Sequence, residues 1–301
     1  MSRGSTREGQ TFAGRSALVR YANLVKLPHT LFALPFALVG AVLASYVKGV
    51  TPVTILWVAL AFASARYAAM AFNRIVDRRL DAANPRTAMR EIPAGVISVR
   101  EAGIAVVLSS ALFLASAWQL NPLCFALAPV ALIWVLGYSY TKHFTRWAHL
   151  ALGLALGIAP VGGYLAVTGA WSDPWWMLPV LAGGVMTWVA GFDVMYALQD
   201  MDFDRQAGLH SIPAALGVRR ALVVARVLHA GTVIALAAVG TAVAAGWLYW
   251  AGVAVVAALL LFEHSLIRAD YLSRLDAAFF TMNAVISIAF LGFVLAERLV
   301  R

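Results

Sequence analysis

The sequence predicts an all-α, polytopic membrane fold with nine transmembrane helices. Three observations lead there. Of its 301 residues 62% are hydrophobic and 12% charged, the mean hydropathy is +0.81, and apolar runs of about 20 residues, the length that crosses a bilayer as helix, recur along the chain. A soluble domain of this length has no use for so much apolar surface.

Taken in order, residues 1–26 are polar, carry Arg3, Arg7, Arg15, Arg20 and Lys26, and lack the apolar stretch of a signal peptide. They read as a tail leading into an interfacial segment, followed by a single transmembrane domain over residues 27–301. The spans expected within it are Leu31–Val47, Val53–Phe72, Ala102–Trp118, Leu123–Tyr140, Leu150–Thr168, Trp175–Leu198, Ala221–Ala244, Leu248–Ile267 and Ala277–Glu297. Arg74, Arg78, Arg79, Arg86, Arg90 and Arg100 follow the second span, and further cations follow the fourth, sixth and eighth; the other loops hold little besides Lys48. The positive-inside bias therefore places the N-terminus and the even-numbered loops in the cytoplasm. The net charge of +9 is then a cytoplasmic rim facing anionic membrane lipid, and no continuous basic stripe invites nucleic acid. Cys124 is the only cysteine, which excludes a disulfide framework and a cysteine zinc site, and no two of the six histidines sit at ligand spacing.

Two acidic ladders carry the functional signal. Asn73, Asp77 and Asp81 lie in NRIVDRRLD at the foot of the second span; Asp193, Tyr196, Asp200 and Asp204 lie in DVMYALQDMDFD at the foot of the sixth. Helical positions four apart share a face and stand about 6 Å apart along the axis, so the carboxylates of each ladder repel unless a cation intervenes. Hard oxygen donors suit Mg²⁺, which takes one or two carboxylates per ion and completes its octahedron with phosphate and water. Asn73, Asp77, Asp81, Asp200 and Asp204 are the candidate metal residues, placed to hold ions across a diphosphate. Each ladder is followed by Ile-Pro-Ala, at Ile92–Ala94 and Ile212–Ala214. This echo, four spans apart, predicts two pseudo-repeated four-helix halves plus one helix, with the site at their axis near the cytoplasmic mouth. The plainer reading, solvated charges neutralised by Arg78, Arg79 and Arg205, does not explain the matching positions.

Other residues gain meaning from that site. Arg66 lies two turns deeper than Asn73 on the same face, where a cation needs a polar cavity and an anion such as diphosphate. Tyr138 and Lys142 close the fourth span at i and i+4; Lys142 is either a topological anchor or a clamp on the leaving group. Asp193, two turns inside Asp200, must pair or protonate, with Arg66, a Tyr hydroxyl or a second substrate as the expected partner. Asp173 and Asp202 read as surface charges.

The two acidic stretches resemble the aspartate-rich motifs of the UbiA-type intramembrane aromatic prenyltransferases, and YSYTK at Tyr138–Lys142 resembles that family's YxxxK motif. The similarity runs from about Leu24 to the C-terminus. It implies nine helices around a lipid-open cavity in which Mg²⁺ bridges an isoprenyl diphosphate to both motifs. It also implies that Asp77, Asp81, Asp200, Asp204, Lys142 and Asp193 act in catalysis, while Arg66, Asn73, Tyr138, Lys142, His143 and Tyr196 contact substrate. NPRTAMREIPAG and GLHSIPA look like the 4-hydroxybenzoate polyprenyltransferase branch, which implies a polyprenyl diphosphate donor and an aromatic acid acceptor in quinone biosynthesis. Some members of that branch prenylate 1,4-dihydroxy-6-naphthoate in menaquinone biosynthesis. The ubiquinone enzymes lead one to expect Lys-Arg after the Tyr motif, and His143 stands at the second position, so both acceptors stay open. The ring proton could pass to pyrophosphate, to Asp193 or to water. Two rivals fit less well: a transporter would place its charges near the midplane, and the Asp-Gly-x-x-Ala-Arg signature of a CDP-alcohol phosphatidyltransferase is absent.

Overall fold

A computed structural model describes residues 12, 14, 16–26, 28–267 and 282–301, the side chains of 28–32 excepted. Arg3, Arg7 and Arg15 and the first turn of the expected ninth span lie outside the described residues. All regular structure within them is helical.

A short helix, α1 (Ala17–Leu24), precedes α2 (Pro28–Ala44), and a turn leads into α3 (Pro52–Ala83). There follow α4 (Val99–Leu120), α5 (Pro122–Gly137), α6 (Ala148–Thr168), α7 (Met177–Tyr196), a single turn α8 (Met201–Gln206), α9 (Ile212–Ala242), α10 (Trp247–Leu266) and α11 (Asn283–Val300). Eight of these are long and apolar enough to cross a membrane. The expected first span falls on α2, whose described apolar stretch, Ala33–Ala44, is shorter than a full crossing.

Local chemistry sets the helix starts. Thr51 caps α3 through the Thr54 N–H with Pro52 in the first turn, and Asn121 does the same for α5 ahead of Pro122. Ser98 and Glu101 close a reciprocal capping box at α4, and Ser211 caps α9 through the Ala214 N–H. Each device satisfies donors that a helix start leaves orphaned, and prolines sit where their missing N–H costs nothing. Gly217, with φ 75° and ψ 170°, separates the first turn of α9 from its long membrane segment, a conformation that only glycine adopts without strain.

Small residues position the middle of the bundle. α6 runs between α2 and α7, and a β-carbon on Gly153 or Gly157 would stand 2.3 Å or 2.6 Å from the Met186 or Ala182 carbonyl oxygen of α7. On its other flank, a β-carbon on Gly40 of α2 would meet the Pro160 oxygen at 1.9 Å, and one on Gly163 would meet the Ala37 oxygen at 2.0 Å. Where lipid replaces water there is little hydrophobic force between helices, so close approach through glycine is a main source of cohesion. α7, packed on both α6 and α9, carries the fully buried Trp188, Leu178 and Leu181. We expect Gly40→Val to force α2 off α6 at a cost of about 3 kcal/mol or more, read as a large drop in Tm in detergent.

Up-and-down connectivity brings the C-terminal ends of α3, α5 and α7 to the N-terminal ends of α4, α6 and α9. The opposite end is tied by α11: Arg298 Nε donates to Ser45 Oγ at 2.8 Å, and Glu297 accepts the Gly246 N–H at 2.7 Å. Both ladders therefore open at the same end of the bundle.

Candidate active site

A cavity of about 490 Å³ lies among α3, α4, α5, α6 and α7. Its apolar depth is walled by Val58, Phe62, Leu120 and Cys124, far from the ladders along each helix, and its mouth by the charged residues. Arg66, Asn73, Asp77, Asp81, Tyr138, Lys142, Asp193, Tyr196, Asp200 and Asp204 all line it. His143 does not: it is exposed on the outer side of the 3₁₀ turn Tyr138–His143. Three residues per turn point Lys142 inward and rotate its successor away from the cavity.

The first ladder is a continuous α-helical face, as its spacing predicts, with Asp77 and Asp81 buried at 3% and 6% exposure. The second is not. α7 ends at Tyr196, Ala197–Gln199 form a 3₁₀ turn, and Asp200 (φ −100°, ψ 1°) starts α8. The tighter turn bends the chain at the membrane edge, and Asp193, Asp200 and Asp204 face one cavity from three backbone segments instead of one helix.

Cations of the chain itself hold the carboxylates. Lys142 Nζ lies 2.6 Å from Asp77 Oδ2 and Arg90 Nη1 2.7 Å from Asp81 Oδ1. Arg86 grips Asp200 with two nitrogens, Nε donating to Oδ1 at 2.8 Å and Nη2 to Oδ2, while its Nη1 donates to the Tyr196 hydroxyl at 3.1 Å. Asn84 Nδ2 adds a bond to Asp200 Oδ1 at 2.8 Å. The neutralising cations are thus Lys142, Arg86 and Arg90, and not the Arg78, Arg79 and Arg205 of the plainer reading: Arg78 donates to the Ile75 carbonyl, and Arg205 faces exposed Asp202 at 3.8 Å. Asp204 Oδ2 accepts from Ser211 Oγ at 2.7 Å. Burial pushes its carboxyl up from the ordinary aspartate value, and the Ser211 hydrogen bond opposes that shift.

Asp193 corrects another expectation. Its partner among the described side chains is His149, at 2.6 Å between Nδ1 and Oδ2, and not Arg66 or a tyrosine. Arg66 and Tyr138 line the same cavity as both ladders, and the Tyr138 hydroxyl lies in the field of Arg66, Asp77 and Asp193.

Does this arrangement fit a hard metal ion? No cluster of three or more His, Cys, Asp or Glu is preformed for one among the described residues. Two observations nevertheless favour it. Asp77 Oδ1 and Asp81 Oδ2 are buried oxygens with no hydrogen-bond partner, one on each of two adjacent rungs, and unsatisfied carboxylate oxygens at that depth call for a cation. Carboxylate and amide oxygens of Asn73, Asp200 and Asp204 also line the mouth, donors of the kind that suit Mg²⁺.

Residues 33–285 match the UbiA prenyltransferase family. The chain belongs to that family. A 4-hydroxybenzoate octaprenyltransferase of Sodalis glossinidius (strain morsitans) is 31% identical over 77% of this chain and 78% of its own length. The apo structure of a UbiA homologue from Aeropyrum pernix K1 is 34% identical and superposes with a TM-score of 0.81 over 89% of this chain and 98% of that one. A homologue from Archaeoglobus fulgidus, solved with DMAPP and Mg²⁺, shares the fold at 24% identity and a TM-score of 0.71, covering 94% and 100% of the two chains. As a UbiA-family protein with eight membrane-length helices, this chain is an integral membrane protein.

Sequence reasoning missed Asn84, Arg86, Arg90 and His149. The i, i+4 spacing of Arg86 and Arg90 just after an acidic ladder was the available signal for two of them. His149 gave none, since its partner is 44 residues away.

Proposed function

We propose that the chain transfers a polyprenyl group from its diphosphate to a ring carbon of 4-hydroxybenzoate, or a close aromatic acid, at the cytoplasmic face of a bacterial or archaeal plasma membrane. The pair of unpartnered buried oxygens on Asp77 and Asp81 carries this reading, because it sits at the mouth of an apolar cavity that reaches deep into the bundle. A polyprenyl tail fits the apolar depth and a metal-bound diphosphate fits the mouth. The name carried by the curated relatives supports 4-hydroxybenzoate over the dihydroxynaphthoate alternative, which rested on His143.

Mg²⁺, when bound, screens the diphosphate and stabilises charge on it as the allylic C–O bond breaks. Asn73, Asp77, Asp81, Asp200 and Asp204 are the residues to hold it. Lys142 and Arg66 bring positive charge to the departing diphosphate oxygens, where charge grows during ionisation. The apolar walls keep water from the allylic cation until the ring attacks. Cationic residues crowd the ladder end of the bundle, which supports a cytoplasmic mouth beneath anionic lipid headgroups.

Purified protein given a polyprenyl diphosphate and equal 4-hydroxybenzoate and 1,4-dihydroxy-6-naphthoate is expected to yield prenylated 4-hydroxybenzoate as the main product by mass spectrometry. Excess EDTA is expected to abolish turnover and Mg²⁺ to restore it. A predominance of prenylated naphthoate would reassign the acceptor, and full turnover in EDTA would remove the metal from the reaction.

A further inference from the structure

His149 has no part in the reading above, yet it is among the most constrained polar residues of the cavity. It is 5% exposed, stands in the first turn of α6 and lines the cavity beside Asp193. Its Nε2 accepts the backbone N–H of Ile212 at 3.3 Å. A nitrogen that accepts carries no proton, so the hydrogen-bond network assigns the proton to Nδ1, which donates to Asp193 Oδ2 at 2.6 Å. One imidazole thus locks three elements together: α6 bears it, α7 bears the carboxylate and the first residue of α9 fixes the tautomer.

The other oxygen, Asp193 Oδ1, has no partner among the described residues, and the side chain keeps 25% of its surface open. Asp193 also differs from its neighbours in what it faces. Asp77, Asp81 and Asp200 are each paired with a cation of the chain. Asp193 faces an imidazole whose acceptor nitrogen is already committed.

We infer that His149 is a positioning residue that aims Asp193 at the acceptor ring, and that Asp193 is the base which removes the ring proton. This rests on the aromatic acceptor proposed above. The ring carbon forms its bond to the allylic carbon after the C–O bond has broken with its electron pair on the diphosphate. The C–H bond at that ring carbon then breaks, its electrons restore the aromatic sextet, and the proton moves to Asp193 Oδ1. Asp193 later passes it to water at the mouth. His149 stays protonated on Nδ1 throughout and holds the carboxylate in line.

The test compares His149→Ala, His149→Gln and Asp193→Asn with the parent protein, using 4-hydroxybenzoate carrying hydrogen or deuterium at the ring positions ortho to the hydroxyl. Glutamine retains both a donor and an acceptor. His149→Ala is expected to lose about 100-fold in kcat, to keep its KM for polyprenyl diphosphate, and to react more slowly with the deuterated ring. The parent, limited by ionisation, is expected to show little isotope dependence, and His149→Gln to recover most of the rate. Asp193→Asn is expected to be slower still with the same isotope sensitivity. A loss in His149→Ala without isotope sensitivity, or with no recovery in His149→Gln, would make His149 structural and overturn the inference. Failure of the parent to prenylate the aromatic acid at all would instead overturn the acceptor assignment.

Discussion

Replacing Asp77 or Asp200 with alanine is expected to lower kcat by about 10³-fold or more, the scale set by losing a group that stabilises developing charge in a water-poor site. The two residues are reached from different halves of the chain, α3 and the break after α7, yet both sit at one cavity mouth. Each is gripped by a cation, Asp77 by Lys142 and Asp200 by Arg86. Alanine therefore removes a proposed metal donor and leaves a cation without its partner, half-buried Lys142 in one case and buried Arg86 in the other. The folded protein should remain extractable in detergent, since neither residue contributes to the glycine contacts between α2, α6 and α7. Near-parental turnover in either variant would return the ladders to ordinary charged surface.

Lys142→Ala is the second large effect, with an expected loss of about 10²- to 10³-fold in kcat. Lys142 sits on the 3₁₀ turn that ends α5, its side chain is 30% exposed, and it reaches Asp77 at 2.6 Å. A topological anchor would show its role in membrane orientation. A group that neutralises the leaving diphosphate shows it in rate. Labelling of single cysteines in a Cys124→Ala background is expected to report unchanged orientation while turnover collapses. An inverted chain would assign Lys142 to anchoring instead.

The spans were legible because hydropathy is a property of long windows, and cap residues such as Thr51, Ser98 and Asn121 sharpen their starts. The break between Tyr196 and Asp200 was not legible. ALQDMDFD has good helix formers, and only the tertiary demand that Asp200 meet Asn84 and Arg86 explains why the helix tightens there. Asn73, Asp77 and Asp81 could be placed because one unbroken helix carries them. His149 could not, because a lone histidine at the start of an apolar run gives no sign of a carboxylate 44 positions on. His143 was singled out because it stands where the family resemblance leads one to expect Arg, and the 3₁₀ turn sets it outside the cavity that Lys142 lines.

The pairs Lys142–Asp77, Arg90–Asp81 and Arg86–Asp200 also bear on how a cycle ends. On the proposed function, pyrophosphate and its cations must leave these carboxylates after transfer. Three tethered cations stand ready to reclaim those carboxylates, and a tethered competitor acts at an effective concentration of about millimolar or more. Displacement from within speeds dissociation and spares the membrane edge an unscreened cluster of negative charge. On that reading the off-rate of pyrophosphate is set outside the ladders, by Arg86 and Arg90 in the segment that follows α3 and by Lys142 in the turn that follows α5.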